Sequence, residues 1–90
     1  MGYNLYDADG YVDMLGSALD YWNVIHEVEL HRAKGPLADF IKAGKTTDPQ
    51  GVVKDLAQLI PQVTDPNVRN MMQSLKDSLK ECKEVAIVDE

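Results

Sequence analysis

From Tyr11 to about Ala33 the chain reads as one amphipathic helix. No proline interrupts the span, and Asp13, Ser17, Asp20, Glu27, His31 and Lys34 recur at three- and four-residue steps or their sum, with Val24 the one apolar break in the stripe. Opposite them Tyr11, Met14, Leu15, Ala18, Tyr21, Trp22, Ile25 and Val28 share a face, and Val12, Leu19 and Leu30 widen it beyond the ~100° stripe of an ordinary surface helix. The pattern is clean as far as Val28, since Glu29 and Arg32 fall back onto the apolar side. Gly16 is a weak point, because a mid-helix glycine costs about 1 kcal/mol against alanine. Asp7-Ala8-Asp9-Gly10 supplies turn formers and N-cap oxygens for the start.

Gly35-Pro36 ends this pattern, and Pro36 suits the first turn of a short helix stopped at Gly44. Thr47-Asp48-Pro49 opens another, with Val52, Val53, Leu56, Leu59 and Ile60 at helical spacing until Pro61. Thr64-Asp65-Pro66 repeats the same start signal, and Val68, Met72, Leu75, Leu79, Cys82 and Ala86 then follow the alternating four- and three-residue steps of a packed seam. The repeat is two caps, since the spacing is too short for a duplicated helical hairpin. These elements predict an all-α fold: a single domain over 1–90, built as a bundle of three to four helices at about 9–33, 36–43, 49–60 and 66–84. Residues 1–8 read as a lead-in segment and 85–90 as a tail.

Length then sets the scale. A chain of 90 residues holds one core and gains modest stability from it, so self-association is a natural supplement. With a first helix broader than one neighbour can cover, the expectation is a homo-oligomer, most simply a two-fold dimer joined through that helix.

Charge narrows the partners. Nine Lys and Arg stand against fifteen Asp and Glu, for a net charge of −6, and from Met1 to His31 there are six acids (Asp7, Asp9, Asp13, Asp20, Glu27, Glu29) with no Lys or Arg. That one-signed field disfavours direct binding of nucleic acid or anionic membrane and favours a protein with a basic surface. The single Cys82 forms no intrachain disulfide, and no apolar run approaches a membrane span, so the expected place is the cytoplasm, or the host cytoplasm for a viral chain.

Candidate chemistry is sparse. His26 and His31 are five apart and diverge by roughly 140°, which fails the four-residue spacing of a helical zinc pair; Glu27 with His31 makes an ion pair. A calcium loop centred on Gly10 would need acids where Leu5 and Gly16 stand. Cys82 lies on an apolar seam, and the glycines are too scattered for a phosphate loop. No enzyme and no cofactor or metal is expected.

The aromatics carry the functional reading. Tyr3, Tyr6, Tyr11, Tyr21 and Trp22 all precede residue 23, and Tyr and Trp dominate binding hot spots. Tyr3, Tyr6, Tyr11, Leu15, Trp22 and Ile25 are therefore the candidate partner- or oligomer-binding residues, and Asp13, Asp20, Glu27 and Glu29 the candidate acidic surface, with the stripe Asp13, Asp20 and Glu27 marking the side that faces water. Arg69 and Asn70, near a helix start, are the candidate anion or ligand contact. The expected function is a non-enzymatic adaptor or regulator binding another protein through helix 1. Alternatives are an acidic inhibitor of a nucleic-acid-binding protein, of the phage anti-defence type, and a nucleotide or small-ligand binder at a subunit interface lined by Tyr11, Trp22 and Arg69.

Overall fold

The computed structural model describes residues 2–89, and the side chains of 13–20 and 89 lie outside that description. It overturns the all-α bundle. The elements run β1 (Gly2–Asp7), β2 (Gly10–Ser17), α1 (Ala18–Leu30), α2 (Pro36–Ala43), β3 (Lys45–Thr46), α3 (Pro49–Leu59), a short 3-10 turn (Ile60–Gln62), α4 (Pro66–Leu79) and β4 (Val85–Asp89). The strands form one antiparallel sheet in the order β2-β1-β4-β3. The lead-in segment is thus β1, the tail is β4, and the first half of the expected long helix is β2.

Asp7 to Gly10 makes a tight hairpin rather than a helix start. Asp7 pairs with Gly10 across the turn, and Asp7 Oδ1 accepts the Asp9 N–H at 2.8 Å. An aspartate that caps a helix satisfies a turn by the same short reach. Gly10, at φ 125°, takes a conformation that a side chain rarely permits.

β2 looks helical in sequence because it is bulged. Leu5 pairs with Asp13 and Tyr6 with Tyr11, leaving Val12 extra; Asn4 pairs with Met14 and Tyr3 with Gly16, leaving Leu15 extra. Each bulge sets two residues against one. The apolar pairs Tyr11-Val12 and Met14-Leu15 therefore recur at three residues instead of alternating, and that step imitates a helix.

The shorter helix α1 is also turned from the expected face. It buries Tyr21, Val24 and Val28 and leaves Ile25 half-buried, while Trp22 and Leu30 stand more than three-fifths exposed. Val24, the break in the polar stripe, is fully buried. Glu27 is correspondingly drawn in, its side chain 14% exposed and 3.3 Å from His31.

The short helices stand where their caps place them. Asp48 caps α3 by accepting the Gly51 N–H at 3.1 Å, and Asp65 caps α4 by accepting the Asn67 N–H at 2.9 Å. The start of α2 borrows its cap: Asp55 of α3 accepts the Leu37 N–H at 3.1 Å. Gly44, at φ 76°, closes α2 by donating to the Phe40 carbonyl. α4 ends at Leu79 instead of near 84, and the Gln50 side chain of α3 donates to the Lys80 carbonyl at 2.7 Å just beyond it.

The helices cover one face of the sheet. Leu5 and Val85 point into a single cluster with Val24, Leu37, Phe40, Val52, Leu56, Val63, Met72 and Leu79. Alternation along β1 and β4 sends Tyr6 and Val88 to the opposite face, where Val88 is exposed and Tyr6 half-buried.

Candidate functional site

The outer sheet face is built by register. Tyr11 of β2 stands opposite Tyr6 of β1, Tyr6 opposite Ala86 of β4, and Ala86 opposite Lys45 of β3. Directly opposed residues share a face, so these four form one row across all four strands. The Tyr6 and Tyr11 rings meet edge to face with centroids 5.7 Å apart, and Tyr11 is 58% exposed. Val88, opposite Asn4, extends the apolar part of the face.

At the Lys45 end the row runs into an open cleft of about 740 Å³. Tyr6, Ala86 and Lys45 belong to both. The far wall comes from α2 (Pro36, Asp39, Ala43) and the Thr46-Thr47-Asp48 segment, and the near wall from the ends of β1 and β4 (Asp7, Ala8, Glu84, Val85). Its charged lining is Asp7, Asp39, Asp48 and Glu84 against Lys45.

Two of those carboxylates have structural duties. Asp7 Oδ1 holds the hairpin and its Oδ2 lies 3.8 Å from the Cys82 thiol, while Asp48 caps α3 and donates its N–H to Thr46 Oγ1. Asp39 and Glu84 are exposed on the cleft walls. Burial first, and then the Asp7 charge, push the Cys82 thiol above its ordinary range, so it stays protonated at neutral pH. Among the described residues no three His, Cys, Asp or Glu side chains gather as a metal site.

The residues singled out in sequence separate into several places. Tyr6 and Tyr11 share the outer sheet face. Tyr3 points inward and meets Tyr21, and Ile25 packs against the core. Trp22 projects from the solvent side of α1, with Glu29 also exposed on that helix. Leu15 and Asp13 lie on β2 and Asp20 on α1, with side chains outside the described set. Arg69 donates from Nε and Nη2 to the Val63 carbonyl at 3.2 and 2.6 Å, which fixes the turn before α4, and Asn70 is exposed beside it. Within one chain Tyr11, Trp22 and Arg69 stand on three different elements.

Asp39, Lys45, Asp48 and Glu84 carry no signal in the sequence that marks them as one site. They come from separate elements and share no local motif; pairing of β3 with β4 brings two of the walls together. No known protein family, curated protein or solved structure matches this chain. No described helix is long and apolar enough to cross a membrane.

Proposed function

We propose that this chain is a non-enzymatic protein-binding module that takes a basic segment of another protein on the outer sheet face and in the cleft beside it. The observation that carries this reading is the continuity of the Tyr11–Tyr6–Ala86–Lys45 row with a cleft whose lining bears four carboxylates and one ammonium. An extended segment laid across the row can set an Arg or Lys head group among Asp39, Asp48 and Glu84 while its stem lies on Tyr6. Cation–π attraction and charge then act together. Tyr11 supplies the rigid aromatic area that interfaces favour.

The acid-only stretch from Met1 to His31 works in the same direction at longer range, by speeding encounter with a basic partner. Where that partner's basic surface also holds nucleic acid, occupancy excludes the phosphates, and the module acts as an inhibitor.

The test is fluorescence anisotropy with three labelled peptides, one arginine-rich, one glutamate-rich and one neutral. The arginine-rich peptide should bind alone and weaken as salt rises. The double variant Asp39→Asn/Glu84→Gln should bind it about tenfold more weakly, since two exposed charges contribute up to ~1 kcal/mol each. An arginine-rich peptide that does not bind, or that binds the variant equally well, overturns the reading.

A further inference from the structure

Among the described residues that line the cleft, Lys45 carries the one positive charge. It is exposed on β3 and stands opposite Ala86, at the end of the row that begins with Tyr11 and Tyr6. Four carboxylates line the same cleft, yet the ion pairs of the described residues are Glu27 with His31 and Asp77 with Lys80. The Lys45 ammonium is paired with none of them.

Its backbone is open on the same rim. The Ile87 N–H donates to the Gly44 carbonyl at 2.7 Å, so the chain turns the Gly44 C=O toward β4. Backbone groups alternate in direction along a strand, and the Lys45 N–H therefore points away from β4, off the outer edge of the sheet. An ammonium and a strand-edge N–H, two donors of one residue, thus stand together beside the cleft.

A basic segment that lays its cation on Tyr6 also meets Lys45. Two strand spacings separate the two positions, roughly 10 Å. The next same-face residue of an extended segment lies about 7 Å from the first, and side-chain length spans the difference. A second basic residue there would oppose Lys45 with a like charge, and an apolar one would take the ammonium out of water without a partner. A carboxylate there pairs with the ammonium and can accept the edge N–H as well.

We infer that Lys45 sets the specificity of the site: the segment it takes carries an Asp or Glu two positions from the Arg or Lys that lies on Tyr6. This rests on the reading of the cleft as the site of a basic segment and narrows that segment to one of mixed charge. Asp39 and Glu84 favour the cation, Lys45 favours the anion, and each repels the charge that belongs to the other. The net charge of −6 draws basic chains to the face at long range, and Lys45 sorts among them on contact.

The experiment is a cycle of peptide titrations into isotope-labelled protein, followed by NMR so that weak binding is measured. Two end-blocked peptides, otherwise neutral and identical, share one Arg and differ two positions from it, where one carries Glu and the other Arg. Each is titrated into wild type, Lys45→Glu and Lys54→Glu, the last reversing an exposed lysine of α3 outside the cleft for the same change in net charge. Lys45→Glu should shift the ratio of the two affinities toward the Arg peptide at least about tenfold further than Lys54→Glu does, because reversing both members of a pair counts their interaction four times. Lys45→Met, which removes the charge and keeps an unbranched stem, should shift it part of the way. A variant that folds less well weakens both peptides alike, so the ratio reports contact and not stability. A ratio that moves no further at position 45 than at position 54 overturns the inference and leaves the basic-segment reading standing. Failure of both peptides to bind the wild type overturns the two together.

Discussion

Tyr3 of β1 and Tyr21 of α1 lie ring against ring, with centroids 4.6 Å apart and planes tilted by 42°. The contact ties the first strand to the first helix across the bulged strand between them. It also places the Tyr21 phenol where ionising it is costly: burial first, and then the nearby Tyr3 phenol, push its pKa up to about 12.

Alkaline stability should report this pair. The folded chain holds the Tyr21 proton more tightly than the unfolded chain, whose phenol titrates near ~10. The associated stability is fully present below about pH 10 and is lost as pH rises from there through about 12. Urea unfolding over that range should show a fall of roughly 2 kcal/mol from this group, largely absent in Tyr21→Phe. An identical alkaline slope in the variant would mean that Tyr21 ionises as freely in the folded chain as in the unfolded one.

Gly51 is held to glycine by proximity. A methyl group there would run into the Asp48 carboxylate that caps its own helix and come within 2.7 Å of Pro36 Cγ at the start of α2. Gly51→Ala should lose about 1 to 3 kcal/mol by overpacking, and Asp48→Ala about 1 kcal/mol by loss of the cap. Because the two sites touch, the double variant should lose less than the sum, as measured by denaturant titration. Strict additivity would show that the clash is with Pro36 alone.

Arg32 ends α1 in a left-handed conformation, φ 51°, that glycine usually supplies. Its N–H donates to the Glu29 carbonyl and that of Ala33 to the Val28 carbonyl, the paired bonds of a Schellman ending. The Arg32 side chain is exposed and the ending is made by backbone groups, so Arg32→Gly should raise stability by about 1 kcal/mol. For a domain of this size that is roughly 4 to 8 °C in melting temperature. A lowered melting temperature would show that the arginine side chain contributes more than its backbone costs.

Removing residues 85–90 should abolish folding. β4 is an inner strand that pairs with β1 along Val85–Asp89 and buries Val85 in the core. Without it β1 has one neighbour and Leu5 loses cover, a loss beyond what a small domain tolerates. Native-like circular dichroism and a cooperative melt in the truncated chain would contradict this assignment.

The sequence by itself determined what is local. Pro36 with Gly44, Asp48 with Pro49, and Asp65 with Pro66 place α2, α3 and the start of α4, because caps and breakers act within a few residues. The seam of α4 was legible as far as Leu79: Val68, Met72, Leu75 and Leu79 are buried in the helix, whereas Cys82 is buried beyond its end and Ala86, expected on the same seam, lies on β4. The tertiary structure alone decided the sheet. Tyr3 pairs with Asp89 from the opposite end of the chain, and no window of sequence contains both. It also decided that residues 10–17 are a strand, since bulges at Val12 and Leu15 give an edge strand the apolar spacing of a helix, and backbone pairing with β1 settles the ambiguity. The candidate site followed from that pairing: Tyr6, Lys45 and Glu84 meet only because β1, β3 and β4 lie side by side.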